Sequence, residues 1–304
     1  MKWVSQLVPL GILFGLCLSS GCKKQVVGIP PAPPPPIGVV AVSSVPWDVP
    51  ESMKKKTIRN QGRAFSEKTV AFTFDDGPSP NNTPKVLDIL DKYGIKATFF
   101  LVGLQMQSSP NLVKEVMNRG HVIGNHTFTH SWHPQREMAL KEFVRWESLL
   151  KELTGRETHL FRPPFGRTNS AFSLVALQRG YPLILWTNSG ADTGTKKRDT
   201  LAQKAQSVYD NVVGNIHPGD IVILHDNADK AHTVQALPRI IEALKKKGYG
   251  FVTVPELLQG WEKAREKAKE QKSKGKSAKP DQKSRPKSPY KTALTTFRSK
   301  ETHG

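Results

Sequence analysis

Short apolar runs alternate with longer amphipathic segments between Thr69 and about Leu258. The apolar runs have the length of buried strands and are Val70–Phe74, Ala97–Val102, His121–Gly124, His159–Phe161, Pro182–Trp186, Asp220–Leu224 and Gly250–Val254. Helical spacing predicts helices over Thr83–Tyr93, Asn111–Arg119, Glu137–Leu153, Ala171–Arg179, Arg198–Val213 and Val234–Lys247. These strand–helix repeats predict an α/β fold with a parallel sheet. A barrel is its natural closure, and an open doubly wound sheet is the alternative.

The first 21 residues have the pattern of a signal peptide. A positive start, Met1-Lys2, precedes a mainly apolar run, Val4–Leu18, that is too short to span a membrane. Cys22 then completes a pattern that resembles a bacterial lipobox, although Ser19 stands where leucine is usual. We therefore expect an exported lipoprotein, anchored to the membrane through a lipid on Cys22 and facing the periplasm or the cell surface. Plain secretion or an uncleaved anchor is the alternative.

The segments that flank the repeats have a different composition. Residues 22–68 are predicted to form a linker and lead-in, because Gly28–Pro36 is nearly all proline and favours an extended spacer. Residues 69–260 are predicted to form the catalytic domain. Residues 261–304 hold 14 Lys and Arg against 5 Asp and Glu, about half of the excess behind a net charge of +19. This composition predicts a basic disordered tail.

Charge and cysteine content narrow the partners and the chemistry. A basic tail is expected to contact an anionic polymer, with a solvated tail that has no partner as the alternative. A nucleic-acid partner is not expected, since the chain is predicted to be exported and has no basic–aromatic recognition module. The cysteines are Cys17 and Cys22, both in or beside the signal peptide. Thiol catalysis and cysteine metal sites are therefore excluded for the mature domain.

Two adjacent carboxylates end the first strong strand. Asp75 and Asp76 follow the apolar run and precede Gly77-Pro78. In a parallel sheet, ligands bind at the carboxyl ends of the strands. Like charges this close raise each other's pKa unless a cation holds them. We therefore expect one of the two to bind a metal and the other to handle protons, although an ordinary turn would also favour an Asp-Asp-Gly sequence.

Three further segments place polar side chains after predicted strands. His126 and His130, four residues apart, could ligate one metal together with a carboxylate, leaving a position open for water. Arg162 begins a rigid Arg-Pro-Pro-Phe-Gly segment and could keep an aspartate ionised. His225 ends an apolar strand and has a side chain suited to proton donation near neutral pH. Taken alone, each segment is also compatible with a purely structural role.

Together, the four segments resemble the polysaccharide deacetylase family, the NodB-homology domain of carbohydrate esterase family 4. The matching motifs are Thr73-Phe74-Asp75-Asp76-Gly77-Pro78, His126-Thr127-Phe128-Thr129-His130, Arg162-Pro163-Pro164-Phe165-Gly166 and Leu224-His225. Their order along the chain makes the match specific, and it spans residues 69 to about 258. The resemblance implies a distorted (β/α)7-8 barrel and metal-dependent removal of acetyl groups from N-acetylated sugars.

The resemblance also implies a role for each site residue. Asp75 would be the general base on a metal-bound water, His225 the acid that protonates the departing amine, and Arg162 the partner of Asp75. The implied metal ligands are Asp76, His126 and His130. The family usually holds Zn²⁺, and Co²⁺ or Ni²⁺ are the alternatives. The backbone N–H of Phe165 would stabilise the oxyanion, while Leu224 and Trp186 would line the pocket for the acetyl methyl group.

One segment departs from the family pattern. Ser189 stands where an aspartate that supports the catalytic histidine is expected, and a hydroxyl cannot stabilise an imidazolium as a carboxylate does. Asp192 matches a second acid of that motif, and the tryptophan that usually follows it is missing. The pKa of His225 therefore depends on whether Asp192 or Asp226 takes over the supporting role.

The sequence favours a metal-dependent deacetylase acting on N-acetylhexosamine residues of a glycan. Peptidoglycan is the expected substrate because of the predicted envelope location, followed by exopolysaccharide or chitin-type oligomers. Two alternatives stay open. One is an amidohydrolase on a small non-sugar amide, and the other is a non-catalytic, glycan-binding envelope lipoprotein.

Overall fold

The computed structural model describes residues 46–59 and 67–277. The predicted signal peptide, Cys22, the proline-rich Gly28–Pro36 and residues 278–304 lie outside the described residues. The strands are β1 (Thr57–Ile58), β2 (Thr69–Asp75), β3 (Thr98–Leu101), β4 (Val122–Asn125), β5 (Leu183–Ile184), β6 (Asn188–Ser189), β7 (Ile221–His225) and β8 (Gly250–Val252). The helices are α1 (Thr83–Tyr93), α2 (Gly103–Ser108), α3 (Pro110–Asn118), α4 (Arg136–Thr154), α5 (Ala171–Gln178), α6 (Leu201–Gly214), α7 (Ala231–Lys246) and α8 (Val254–Ser277).

The strand pairings are parallel and close into a ring. Strand β2 pairs with β3, and β3 pairs with β4. From β4 the ring continues through bridges from Asn125 to Phe161 and from Phe161 to Leu183. Strands β5 and β6 follow each other along the chain, and β6 pairs with β7. Strand β7 pairs with β2, which completes the ring. The expected α/β fold is confirmed, and the distortion of the barrel lies where Phe161 stands in for a full strand.

Strand β2 is the centre of this arrangement. From Val70 to Asp75 its side chains are buried on both faces, as expected for a parallel strand covered by helices. Its first residues pair with β8, and its later residues pair with β3 and β7. A nearly continuous apolar run is therefore required here, and the carboxylates can follow only where the strand reaches the end of the barrel.

The lead-in to the barrel is folded, which corrects the expected start of the domain at residue 69. Trp47, Val49, Met53 and Ile58 are buried in the main core, and β1 pairs with β5. These residues were expected to be linker because their apolar positions follow no regular period. Their burial comes from packing against the barrel, which local periodicity does not report.

Helix α8 corrects the expected start of the tail. It runs to Ser277, so residues 261–277 are helical, and Trp261 is only 3% exposed. The first two turns are anchored by Val254, Leu257 and Leu258 in the main core, which lets a charged sequence continue the helix. Helix α2, directly after β3, was also not predicted. None of the helices in the described ranges is both long and apolar enough to cross a membrane.

The buried position of Trp261 gives a stability prediction. Trp261→Ala should lower the free energy of unfolding by about 3–5 kcal/mol, because it removes a large buried side chain and leaves a cavity. Leu201→Ala, at a residue 51% exposed, should change it by less than about 0.5 kcal/mol. Urea unfolding of both variants and the parent chain checks the difference. Equal stability of Trp261→Ala and the parent would show that the folded unit ends before residue 261.

Candidate active site

The four segments singled out in the sequence meet at the carboxyl ends of the barrel strands. Asp75 and His225 are register partners at the ends of β2 and β7. His126 follows the last residue of β4, and Arg162 follows the bridge residue Phe161. Parallel pairing puts these strand ends on one rim, so side chains up to 150 residues apart converge, as expected for a barrel.

Asp75 and Arg162 form a buried ion pair. Arg162 Nη1 lies 2.7 Å from Asp75 Oδ1, and the two side chains are 0% and 2% exposed respectively. The same nitrogen donates to the hydroxyl of Thr73, and Arg162 Nε donates to the backbone carbonyl of Ile184. The guanidinium also lies over the ring of Phe100 at 4.1 Å. These contacts hold one carboxylate oxygen of Asp75 and leave the other facing the site.

Asp76, His126 and His130 form a cluster that could hold a metal ion. Asp76 Oδ1 lies 3.5 Å from His126 Nε2 and 3.3 Å from His130 Nε2. Ligands bound to Zn²⁺ at about 2.0–2.1 Å in tetrahedral geometry lie about 3.3 Å apart. The donor set and its spacing therefore fit a zinc-type ion with three protein ligands.

The orientation of His126 also fits a metal ligand. Its Nδ1 lies 2.7 Å from the backbone carbonyl of Arg162. Because a carbonyl can only accept a hydrogen bond, Nδ1 carries a ring proton, and Nε2 is the nitrogen that faces Asp76. An outer hydrogen bond of this kind is the usual way in which proteins orient a ligating histidine.

The charges around the cluster favour deprotonated ligands. Burial would raise the pKa of Asp76, but its close contact with His126 and the nearby His225 and His130 hold that pKa far below its ordinary value. Burial lowers the pKa of His130, and the neighbouring His126 lowers it further. A carboxylate and neutral imidazoles are the forms that bind a metal.

Several site residues have a strained backbone. Positive φ angles outside glycine occur in the described residues at Lys55, Asp76, Thr127, His130, Phe165 and Ala191, and all except Lys55 lie in the site segments. Such angles cost about 1–3 kcal/mol each and persist only where the surroundings hold them. Thr127 Oγ1 accepts from the backbone N–H of His130, and Asn125 Oδ1 accepts from that of Thr127. The local strain thus sets the direction of the ligands.

Asp192 is the carboxylate that supports His225. Its Oδ1 lies 2.8 Å from His225 Nδ1, and its Oδ2 accepts from the His225 backbone N–H and from the Thr233 hydroxyl. Burial would lower the pKa of His225, but the hydrogen bond to Asp192 and its charge raise that pKa to about 9. His225 is therefore protonated at neutral pH and can donate a proton from Nε2.

The concern raised by Ser189 is thereby resolved. Ser189 is exposed, and its hydroxyl accepts a hydrogen bond from the Ala191 backbone N–H. Asp226 is fully buried and accepts a hydrogen bond from Thr83 rather than serving His225, and burial raises its pKa to about 7. Asp192, only a candidate from the sequence, occupies the supporting position because the turn after β6 places its carboxylate against His225 at the end of β7.

The residues expected to form the oxyanion site, Phe165, and the acetyl pocket, Leu224 and Trp186, have different environments. Leu224 is fully buried, with its side chain against Gly190, where an added Cβ would come within 2.5 Å of Leu224 Cδ2. Trp186 packs beneath Gly166 in the same way. Phe165 has an exposed side chain, and its φ of 58° turns that side chain toward His130. The structure thus places Phe165 at the site, with Trp186 supporting its turn.

Sequence reasoning missed several residues that hold the site together. Thr73 bonds Arg162, Thr233 bonds Asp192, and Glu142 accepts hydrogen bonds from the backbone and the hydroxyl of Thr129. A threonine inside the apolar run of β2 was the one visible signal. Thr233 and Glu142 lie on helices whose periodicity gives no hint of a bond to a distant loop.

A cavity of about 330 Å³ opens beside the cluster. Its wall is formed by Asp76, Ser79, Pro80, Asn81, Gln105, Asn227, Ala228 and Asp229. Most of these side chains can form hydrogen bonds. The cavity could therefore hold a polar ligand that reaches Asp76.

Comparison with known proteins places the chain in a family. The family model for polysaccharide deacetylase matches residues 62–184. A peptidoglycan-N-acetylglucosamine deacetylase from Bacillus cereus is 40% identical over 217 residues, which cover 70% of this chain and 92% of that protein. The peptidoglycan-N-acetylmuramic acid deacetylase PdaA from Bacillus subtilis is 32% identical and covers 85% of this chain and 96% of its own length.

A solved structure supports the same assignment. The peptidoglycan deacetylase PdaC from Bacillus subtilis superposes with a TM-score of 0.60 at 29% identity, covering 69% of this chain and 98% of that one. The expected family and the expected enzyme class are both confirmed. The chain belongs to the polysaccharide deacetylase family, a family of hydrolases that act on carbon–nitrogen bonds other than peptide bonds.

Proposed function

We propose that this protein removes the acetyl group from N-acetylated amino sugars of peptidoglycan, with Asp75 as base and His225 as acid. The observation that carries the proposal is the convergence of three intact pairs or clusters on one rim. These are Asp75 with Arg162, Asp192 with His225, and the cluster of Asp76, His126 and His130. Relatives named for peptidoglycan deacetylation support the substrate. Because those names include both N-acetylglucosamine and N-acetylmuramic acid, either sugar is a candidate.

A divalent metal, with Zn²⁺ favoured by the donor set, would supply Lewis-acid chemistry at the cluster, polarising the acetamide carbonyl and acidifying water.

Asp75 is the side chain placed to act as the base. Its Oδ2, 3.8 Å from His126 Nε2, faces the cluster and can accept the proton of the attacking water. Arg162 holds the other oxygen, so Asp75 keeps its orientation.

The departing amine needs a proton, and His225 is placed to give it. His225 and Asp75 end paired strands, so acid and base flank the same space. Asp192 keeps the imidazole charged and holds its Nδ1, which leaves Nε2 to donate. The backbone N–H of Phe165 would donate to the developing oxyanion, a contribution that typically amounts to several kcal/mol in a site closed to water.

These pairs and the named relatives weigh against the two alternatives. A non-catalytic glycan binder has no need for a charged, carboxylate-supported histidine opposite a buried carboxylate. Relatives named for peptidoglycan deacetylation weigh against an amidohydrolase for a small amide. We also propose that the protein is an exported lipoprotein anchored to the membrane through Cys22. Its basic tail would contact an anionic polymer of the cell envelope.

Two variants separate the base from the metal cluster. The parent chain loaded with Zn²⁺ should release acetate from N-acetylglucosamine oligomers and from peptidoglycan. Asp75→Asn should keep its zinc and lose about 10²–10⁴-fold in rate, as expected for removal of a general base. His126→Ala should lose zinc, measured by metal analysis of the dialysed protein. Retained activity in Asp75→Asn would refute the base assignment, and a zinc-loaded parent silent on every acetylated glycan would refute the deacetylase proposal.

The Asp192–His225 pair predicts a change in pH dependence. Because His225 acts in its protonated form, the rate should fall as the pH rises through its pKa. Asp192→Asn removes the charge that raises this pKa, so the alkaline limb of kcat/KM should move to lower pH by about 1–3 units. Ser189→Ala is the matched control and should leave the limb in place. An unmoved limb in Asp192→Asn would show that another group is the acid.

The lipid anchor can be tested in cells. Labelled palmitate should enter the full chain, and Cys22→Ala should abolish the label and release the protein from the membrane fraction. Cys17→Ala, which alters the other cysteine of the leader, should keep the label. Incorporation that survives in Cys22→Ala would rule out Cys22 as the lipidated residue.

A further inference from the structure

Two large aromatic side chains lie exposed beside the metal cluster. Trp132 is 50% exposed and Phe165 is 48% exposed, with ring centroids 4.3 Å apart. We call this pair the aromatic ledge. In the part of the chain that the structure describes, Trp47, Trp146 and Trp261 are buried. Paired exposed aromatic rings at a cleft commonly mark a ligand-binding surface.

The ledge is continuous with the candidate active site. The Phe165 ring packs edge-on against the His130 ring at 4.6 Å, and His130 belongs to the metal cluster. Trp132 follows His130 by two residues, so the same turn that presents a ligand also presents the ledge. A polymer with one unit at the cluster would therefore lay a neighbouring unit on these rings.

The ledge is held in place before any ligand arrives. Arg167 Nη1 donates to the backbone carbonyl of Trp132 at 2.6 Å, and its guanidinium lies 5.0 Å from the Trp132 ring centre. Phe165 is fixed by its left-handed backbone and by the packing of Trp186 beneath Gly166. Little conformational entropy remains to be lost on binding, which favours a role in recognition.

We propose that the aromatic ledge is a glycan subsite that binds the pyranose ring next to the sugar being deacetylated. The inference rests on the proposed function, since it takes the same glycan as ligand. The apolar C–H face of a pyranose matches an aromatic face, and the sugar hydroxyls can reach the guanidinium of Arg167. The cavity beside Asp76 has a separate lining, so the ledge adds a contact outside the cluster and sets the preference for polymers over single sugars.

The decisive measurement is binding without turnover. In an Asp75→Asn background, Trp132→Ala should weaken binding of an N-acetylglucosamine tetramer about tenfold, a loss typical for one aromatic contact. Trp132→Phe should restore most of the affinity. Val144→Ala, at a residue 44% exposed on helix α4, is the control and should bind like the parent. Calorimetric titration measures all four proteins.

A kinetic comparison gives the second readout. With Asp75 intact, Trp132→Ala should raise KM for the tetramer while kcat changes little, and the loss should shrink as the oligomer is shortened to the single sugar. Equal losses for all lengths, or tetramer affinity in Trp132→Ala equal to that of its parent, would overturn the subsite. A change in oligomeric state on light scattering without a change in affinity would instead identify the ledge as a protein interface.

The two proposals fail in different ways. If the parent chain released no acetate but the tetramer still bound through Trp132, the subsite would stand and the deacetylase proposal would fall. If acetate release were normal and were unchanged in Trp132→Ala at every oligomer length, the deacetylase proposal would stand and the subsite would fall.

Discussion

The buried ion pair between Asp75 and Arg162 is the interaction on which the geometry of the site depends. Asp75 ends β2 and Arg162 follows the bridge residue Phe161, so the pair links two segments of the barrel at its rim. Removing one partner of such a pair typically costs about 3–5 kcal/mol, because the other is left as an uncompensated buried charge. Arg162 also accepts from His126 Nδ1 through its backbone carbonyl. One residue therefore orients both the candidate base and a candidate metal ligand.

Around that pair, the site is built on a backbone under local strain. Asp76, Thr127, His130 and Phe165 have φ angles that non-glycine residues avoid. The buried strands β2 and β4 lead into the turns at Asp76 and at Thr127 and His130, and their packing holds these turns in place. The result is a set of side chains whose directions are decided before any ligand binds. The same strain that aims the ligands also presents the aromatic ledge.

The pKa values of three aspartates at the site are shifted by their different surroundings. Asp76 is held ionised by histidines and Asp192 by His225, whereas burial raises the pKa of Asp226 although Thr83 donates a hydrogen bond to it. Two of these three aspartates thus have a lowered pKa, and the third has a raised pKa. This separation lets one cleft hold a metal-type cluster and a protonated histidine at the same pH.

The sequence by itself determined the architecture and most of the site. Apolar runs with helices between them predicted the barrel, because burial on both faces forces a strand of a parallel sheet to be apolar along its length. Polar residues at the ends of those runs predicted Asp75, Asp76, His126, Arg162 and His225, because ligands bind at the carboxyl ends of the strands of a parallel sheet. The tertiary structure alone decided which acid serves His225, since the turn after β6 brings Asp192 there and leaves Ser189 exposed. It likewise decided that Trp132 is exposed and that Trp261 is buried. Local sequence does not encode which surface a neighbouring element will cover, and that covering is what distinguishes a core residue from a subsite.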